Sequence, residues 1–204
     1  MKTSHFFQPA MRRAVSQAMH AVPRVQFVPE QYSDEATEDH PLPIGFGQTI
    51  SQPSLVAGMT AALHPHKSFR VLEIGTGSGF QAAVLAQLVH EVFTVEIIPE
   101  LADSAAQRLA TLGYHNVHVR CADGYYGWPE HAPFDGIMVA AAVQPVPDPL
   151  IEQLNEGGRI VVPLGTAGQY QELILGHKQS GELRWQHLAD VRFVPFVRHS
   201  STEP

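Results

Sequence analysis

The chain has 204 residues, of which 44% are hydrophobic and 16% charged, and its formal net charge is −7 at pH 7. This length and composition suit one ordered globular domain with a sizeable core and exclude an intrinsically disordered chain. The acidic balance argues against a nucleic-acid partner, because proteins that bind nucleic acids usually present a basic face.

The first 66 residues predict helices and a long loop. Residues 10–22 place apolar side chains at helical spacing, and Pro23 ends that helix. Prolines, glycines and polar residues dominate 28–53, which predicts a long loop with weak secondary structure. Loops of that length inside a compact domain often carry function. A second helix is predicted over 54–63, with its apolar residues on one face.

From residue 67 onward, apolar strand patterns alternate with helical patterns, which indicates βαβ units on a mostly parallel sheet. Near the end, two strands joined by a Gly-containing turn at 179–182 predict an antiparallel hairpin. We therefore expect one α/β domain over 1–204, with an N-terminal extension (1–66) and a sheet with a C-terminal hairpin (67–204). The predicted strands are 70–75, 92–96, 117–121, 134–141, 158–165, 171–178 and 183–197, and the helices between them are 79–89, 99–113 and 148–154.

The single cysteine, Cys121, rules out an intramolecular disulfide and a multi-cysteine metal cluster, as is usual in a reducing compartment. The first 22 residues lack the apolar core of a signal peptide. The longest purely apolar run, 137–143, is far too short to cross a bilayer. We expect a cytoplasmic protein without a membrane partner, either a monomer or a weak homo-oligomer.

A glycine-rich turn follows the strand at 70–75 and leads into a helix, so a ligand can approach its backbone closely. Both a dinucleotide and S-adenosylmethionine are bound at such turns. The dinucleotide pattern needs a glycine where this chain has Phe80 after Gly75, Gly77 and Gly79. Glu73 lies two positions before the turn, and a carboxylate there suits the cationic sulfonium and ammonium groups of S-adenosylmethionine better than a diphosphate.

Acidic residues also follow the next two strands. Glu96 is placed to accept hydrogen bonds from ribose hydroxyls, and Asp123-Gly124 lies on the same edge, within reach of an adenine. Each feature has a structural alternative, because the glycine run is also a tight connection and Asp-Gly is a common turn pair. Together, in register with the strands, they favour a site for S-adenosylmethionine.

The segment PIGFGQTISQP (43–53) is more specific than the glycine turn, because S-adenosylmethionine enzymes in general share the turn but not this stretch. Through this segment, and from about 21 to 197 as a whole, the sequence resembles the protein-L-isoaspartate O-methyltransferase family. The resemblance implies a Rossmann-like methyltransferase fold and methyl transfer from S-adenosylmethionine to the free α-carboxylate of L-isoaspartyl residues in damaged proteins and peptides. The resulting ester would cyclise to a succinimide, whose hydrolysis regenerates some normal aspartate.

The resemblance also implies roles for individual residues. The Ser51 hydroxyl would orient the substrate carboxylate, and Thr49 and Ile50 would line the cofactor side of the same loop. The segment 191–197 would lie beside the peptide cleft. The chain departs from the family at Ala140-Ala141-Ala142, where a threonine usually begins the triplet, and near Thr37, where an aromatic residue is common.

Ser51 has a structural interpretation as well. Ser51 followed by Pro53 resembles a helix start, with the serine as N-cap and the proline in the first turn. On local chemistry alone the cap is favoured, and only the match of the whole surrounding segment favours the substrate contact. The two roles are compatible for a serine at the edge of a cleft.

We expect no metal site, because the 12 histidines, including the pair His64 and His66, form no set with standard zinc spacing. A methyltransferase acting on a nucleic acid or a small metabolite is an alternative function. It is disfavoured by the acidic charge and by the lack of a tetrapeptide such as Asn-Pro-Pro-Tyr. A non-catalytic cofactor-binding homologue is another, against which the intact Ser51 segment argues, while Ala140 leaves it open.

Overall fold

The described part of the N-terminal extension, 9–66, contains two helices, two short strands and 3-10 turns. The computed structural model describes residues 9–166 and 168–198, so parts of the predicted 1–66 and 67–204 segments lie outside the described residues. The predicted helix at 10–22 is confirmed, and Pro53 occupies the first turn of the next helix, as expected. The elements are α1 (Pro9–Ala21), β1 (Leu42–Gly45), β2 (Gln48–Ile50) and α2 (Pro53–Leu63), with 3-10 turns at Arg24–Phe27 and Glu30–Glu35.

Apolar runs form the strands of a seven-stranded sheet, and helices connect the parallel ones. The strands are β3 (Arg70–Ile74), β4 (Glu91–Glu96), β5 (Val117–Cys121), β6 (Phe134–Val139), β7 (Leu154–Leu164), β8 (Gln171–Gln179) and β9 (Glu182–Val191). The helices between them are α3 (Phe80–Ala86), α4 (Pro99–Thr111) and α5 (Asp148–Glu152). Two 3-10 turns, Gly124–Tyr126 and Pro129–His131, connect β5 to β6.

The order of the sheet is β5-β4-β3-β6-β7-β8-β9. The first five of these strands pair in parallel, and the last two pairings, β7 with β8 and β8 with β9, are antiparallel. The predicted α/β fold with a mostly parallel sheet and a terminal antiparallel hairpin is therefore confirmed.

Successive side chains of a strand point to opposite sides of the sheet, and in the central strands both sides are buried. Val71 and Val92 pack into one apolar cluster, whereas their neighbours Leu72 and Phe93 pack into another. A third cluster joins the N-terminal extension to the sheet helices, and in it Phe27 packs against Phe80 with 5.5 Å between ring centroids. This contact fixes the extension close to the glycine-rich turn.

The prediction of a loop over 28–53 was incomplete, and the predicted end of the last strand was wrong. The segment 28–53 contains the antiparallel hairpin of β1 and β2, because the tip residues Gly45, Phe46 and Gly47 all adopt positive φ and reverse the chain. The last strand ends at Val191 and not at Val197, since its partner β8 begins at Gln171 and offers no further backbone.

The segment after Val191 pairs elsewhere. Ala142 donates its N–H to Val194 O (2.9 Å), and Phe196 donates its N–H to Ala142 O (3.0 Å). The chain end is thus held against the carboxyl side of the sheet. Among residues 9–166 and 168–198, no helix combines the length and apolar character needed to traverse a bilayer.

Candidate active site

The candidate site lies beyond the carboxyl ends of the strands where β3 has β4 on one side and β6 on the other. Ligands of open α/β sheets bind in the crevice at such a point. A cavity that is partly open to solvent occupies it, and ligand sites are usually concave pockets of this kind. The loop from Gln48 to Ser51, the glycine-rich turn, the end of β4 and the segment Phe193–Val197 contribute to its walls.

Most of the predicted site residues meet at this cavity. Those that line it are Thr49, Ile50, Ser51, Gly75, Gly77, Glu96 and Gly124. Three predicted residues, Glu73, Gly79 and Asp123, are not part of the lining. Each of these three has a structural role that explains its position.

Gly75 and Gly79 illustrate why the turn needs glycine. Both adopt positive φ, +94° and +88°, which side chains rarely tolerate. A Cβ on Gly75 would meet Ala140 Cβ at 3.4 Å across the crevice, and a Cβ on Gly79 would lie 3.1 Å from Leu109 Cδ1. Gly75 is thus favoured by its backbone conformation, whereas Gly79 also allows α3 and α4 to pack closely.

Glu96 is buried at the end of β4, and both of its carboxylate oxygens accept hydrogen bonds. Oε2 accepts from the N–H of Gly77 (2.8 Å), and Oε1 accepts from the N–H groups of Ile97 (2.9 Å) and Ile98 (3.1 Å). A carboxylate has about four acceptor positions, so one is left for a ligand in the cavity. The same carboxylate thus fixes the glycine-rich turn and presents charge to the cavity.

Glu73 is completely buried beneath the turn. Thr94 Oγ1 donates to Glu73 Oε2 (2.6 Å) and lies 2.6 Å from Thr76 Oγ1, and Thr76 lines the cavity. Glu73 Oε1 is buried and has no hydrogen-bond partner among the described residues. Burial raises the pKa of Glu73 to about 8; the Thr94 hydrogen bond opposes this shift, and the charge of Glu96 adds to it. The carboxyl group reaches the cavity wall only through the two threonine hydroxyls.

Replacing Glu73 by glutamine should change how stability depends on pH. Between its ordinary pKa of 4.5 and its folded-state pKa of about 8, the folded protein holds a proton that the unfolded chain has lost. Stability therefore falls as pH rises through this window, by up to about 1.4 kcal/mol per pH unit. Urea unfolding without cofactor should show this decline in the wild type and a flatter profile in Glu73→Gln. Parallel profiles would contradict the assignment.

Asp123 closes the turn after β5. Its Oδ1 accepts the N–H of Tyr125 (2.9 Å), and its Oδ2 accepts from Arg198 Nε (3.1 Å). The Arg198 guanidinium also lies over the Tyr125 ring, 3.6 Å from its centroid. The turn interpretation of Asp123 is thus correct, and the adjacent Gly124 forms the cavity wall.

The helix-cap interpretation of Ser51 was wrong. The N-cap of α2 is Gln52, and its side chain makes no capping hydrogen bond. Instead Asp39, far away in the sequence, accepts the N–H of Ser54 on its Oδ1 at 2.8 Å. Within the described part of the chain, the Ser51 hydroxyl makes no hydrogen bond, so it is available to a ligand.

A second cavity adjoins the first, and Ser51 lies where the two meet. Both cavities are lined by Ser51 and Ala140, together with Thr49, Phe193 and Val194. Arg192 lines only the second cavity and stacks on the exposed Tyr170 ring at 4.2 Å. A small ligand in the first cavity and an extended chain in the second would therefore approach each other at Ser51.

Glu35, Glu38 and His40 form a group outside both cavities. Each offers a potential ligand atom, and these atoms lie within 4.8 Å of one another. His40 Nε2 already contacts carboxylate oxygens of Glu38 (3.0 Å) and Glu35 (3.5 Å), at an exposed or half-exposed surface. This group has no standard zinc-ligand spacing in the sequence, and its position gives it no part in the candidate site.

Sequence patterns also missed Arg24 and Asp39, which hold the Ser51 loop. Arg24 is buried and donates to Ser51 O (3.2 Å), and Asp39 binds the first turn of α2. Arg24 lies within the apolar stretch VPRVQFVP, and a charge in such a stretch needs buried partners. The acidic run SDEATED, which contains Asp39, offered possible partners for backbone N–H groups. Neither signal names its partner.

The comparisons with known proteins agree with this geometry. The family model for protein-L-isoaspartate(D-aspartate) O-methyltransferase matches residues 8–201. A protein-L-isoaspartate O-methyltransferase from Alkalilimnicola ehrlichii is 56% identical over 184 residues, covering 90% of this chain and 83% of the relative.

Solved structures also match this chain. A protein-L-isoaspartate O-methyltransferase structure matches with a TM-score of 0.83 and 34% identity over 89% of this chain, which spans 60% of that longer chain. A Plasmodium falciparum structure in complex with S-adenosyl-L-homocysteine shares the fold, with a TM-score of 0.78, 23% identity and 90% coverage of both chains. The chain belongs to the protein-L-isoaspartate(D-aspartate) O-methyltransferase family.

Proposed function

We propose that the protein transfers a methyl group from S-adenosyl-L-methionine to the free α-carboxylate of L-isoaspartyl residues in damaged proteins and peptides. The observation that carries the proposal is the position of Ser51. Its hydroxyl lies at the junction of two cavities and makes no hydrogen bond within the described chain, because Asp39 caps α2 in its place. Family membership and the identity to relatives of this activity support the same reaction.

The first cavity fits S-adenosyl-L-methionine. Glu96 keeps an acceptor position for ribose hydroxyls, and Gly75 and Gly77 let the ligand lie against the backbone. Glu73 does not line this cavity, and its effect on a bound ligand would pass through the hydroxyls of Thr94 and Thr76. Gly124 lines the same cavity, on the side proposed for the adenine. When bound, the cofactor supplies a methyl group on its sulfonium and leaves as S-adenosyl-L-homocysteine.

The residues around the second cavity supply positioning. An isoaspartyl α-carboxylate is ionised near neutral pH, since carboxyl reference pKa values lie near about 4. It therefore attacks the methyl carbon without a general base. Ser51 donates its hydroxyl hydrogen to one carboxylate oxygen, and the other oxygen is left facing the first cavity. Catalysis by alignment of this kind can supply a large part of a rate enhancement.

The proposal includes partners and location. The acidic charge and the single cysteine support a cytoplasmic protein that acts on isoaspartyl proteins and peptides as one domain. We further propose a monomer or weak homo-oligomer without a nucleic-acid or membrane partner. A peptide in the second cavity would lie along Arg192–Val194, which line it, while Ala142 is already hydrogen-bonded to Val194 and Phe196.

A methylation assay with twin peptides tests the reaction. The peptides share one sequence and differ only in carrying L-isoaspartate or normal aspartate at one position. We expect transfer of labelled methyl from S-adenosyl-L-methionine to the isoaspartyl peptide and background transfer to its twin. Equal transfer to both would indicate another carboxyl substrate. No transfer despite cofactor binding would indicate a non-catalytic homologue.

A further inference from the structure

Arg24 is a buried cation that binds four backbone carbonyls. Nη1 donates to Ala36 O (3.0 Å) and Glu38 O (3.4 Å), and Nη2 donates to His40 O (3.0 Å) and Ser51 O (3.2 Å). Only 7% of Arg24 is exposed. One side chain therefore fastens the segment 36–40 to the backbone of Ser51.

The hydrogen bonds of Arg24 join residues that are far apart in the sequence. Arg24 and Ser51 are 27 residues apart, and the two bonds of Nη2 place His40 O and Ser51 O on the same nitrogen. Asp39, in the same segment, holds the N–H of Ser54 at 2.8 Å. Arg24 thus binds the carbonyl of Ser51, and Asp39 binds the first turn of α2 that follows it.

Stability alone is a weak explanation for this arrangement. A buried cation loses hydration, and burial lowers the pKa of Arg24 although Asp39 opposes the shift. In addition, Arg24 Nε is buried without a hydrogen-bond partner among the described residues. Buried ionic groups of this kind are often no better for stability than apolar packing. What the guanidinium does provide is a rigid planar fork that fixes several acceptors relative to one another.

We propose that Arg24 is a positioning residue for methyl transfer: its guanidinium fixes the backbone of Ser51 and so directs the Ser51 hydroxyl to the junction of the two cavities. The inference rests on the proposed function of Ser51. Arg24 itself lines neither cavity. Its influence on substrate would therefore pass through Ser51, while the glycine-rich turn and Glu96 bind cofactor independently.

Lysine at position 24 tests this role, because an ammonium keeps the charge but cannot reproduce the fork. We expect Arg24→Lys to lower kcat about 10- to 100-fold, as small misplacements of a catalytic group do. The Kd for S-adenosyl-L-homocysteine should stay at the wild-type value. Amide hydrogen exchange over 36–52 should accelerate, while exchange in β3 and α3 stays unchanged.

Arg159→Lys is the matched control. Arg159 is half-buried and, like Arg24, donates from Nη1 to a backbone carbonyl, Ala62 O at 3.2 Å, but among the described residues it makes no hydrogen bond to the Ser51 loop. This variant should keep the wild-type kcat and exchange pattern. If Arg24→Lys does not fold, Arg24→Gln, which buries no charge, takes its place in the same measurements.

Wild-type kcat in a folded Arg24 variant would overturn the inference, and so would a loss of kcat matched by an equal loss of cofactor binding. The proposed function fails separately, if the wild type does not methylate the isoaspartyl peptide. In that case the exchange measurement still decides whether Arg24 holds the Ser51 loop. Unchanged exchange over 36–52 would overturn that hold, and accelerated exchange would support it.

Discussion

Replacing Glu96 by glutamine should weaken cofactor binding by about 100-fold, because both carboxylate oxygens already accept backbone N–H groups. Whichever way the glutamine amide turns, its NH₂ group faces an N–H donor, either that of Gly77 or those of Ile97 and Ile98. The glycine-rich turn would then move away from the end of β4, and the charge offered to ribose hydroxyls would be lost. Isothermal titration with S-adenosyl-L-homocysteine measures the effect.

Glu91→Gln provides the matched control for that titration. Glu91 begins the same strand at the opposite end, where it contacts Arg70 (3.5 Å) and His118 (3.1 Å) and not the cavity. Its variant should bind cofactor as the wild type does. If Glu96→Gln also binds like the wild type, Glu96 does not hold the cofactor, and the turn does not depend on its charge.

Replacing Ser51 by alanine should lower kcat about 100-fold, since removal of one preorganised hydrogen-bond donor has effects of this order. Cofactor affinity should stay unchanged, because Glu96 and the glycine-rich turn are untouched. Thermal stability should also stay unchanged, since the Ser51 hydroxyl does not cap α2. Steady-state kinetics with the isoaspartyl peptide and a melting curve measure both quantities.

Asp39→Ala separates the cap from the catalytic role. Asp39 supplies the side-chain hydrogen bond to Ser54 in the first turn of α2, so its loss should cost about 1 kcal/mol of unfolding free energy. Ser51→Ala and Asp39→Ala should thus differ, the first mainly in kcat and the second mainly in stability. A Ser51→Ala variant that turns over normally but melts earlier would restore the cap interpretation and remove Ser51 from the mechanism.

The features of the cofactor side were predictable because they are local. Gly75 and Gly77 come just after β3, Glu96 is the last residue of β4, and parallel strands bring their carboxyl ends to one edge. The alternation of apolar and helical patterns was enough to place that edge. The hairpin of β1 and β2 was missed because its strands are short and its signal is carried by the positive φ of residues at its tip.

Features that depend on distant pairing could not be predicted. Glu73 lies opposite Thr94 in the register of β3 and β4, and only that register shows that its carboxyl group faces a threonine under the turn. Arg24 and Asp39 act on residues 27 and 15 positions away. For this reason the local pattern favoured Ser51 as a cap. In the fold, Asp39 supplies the side-chain hydrogen bond to the first turn of α2, and the Ser51 hydroxyl makes none within the described residues.

The central claim is that the methyl group arrives on the isoaspartyl α-carboxylate, and mass spectrometry of the peptide product tests it most directly. After incubation with the protein and S-adenosyl-L-methionine, the isoaspartyl peptide should first gain one methyl group at that residue. It should then lose methanol as the ester cyclises to a succinimide, while the normal-aspartyl twin keeps its mass. A stable methyl group elsewhere on the peptide, or methylation of both twins, would contradict the account.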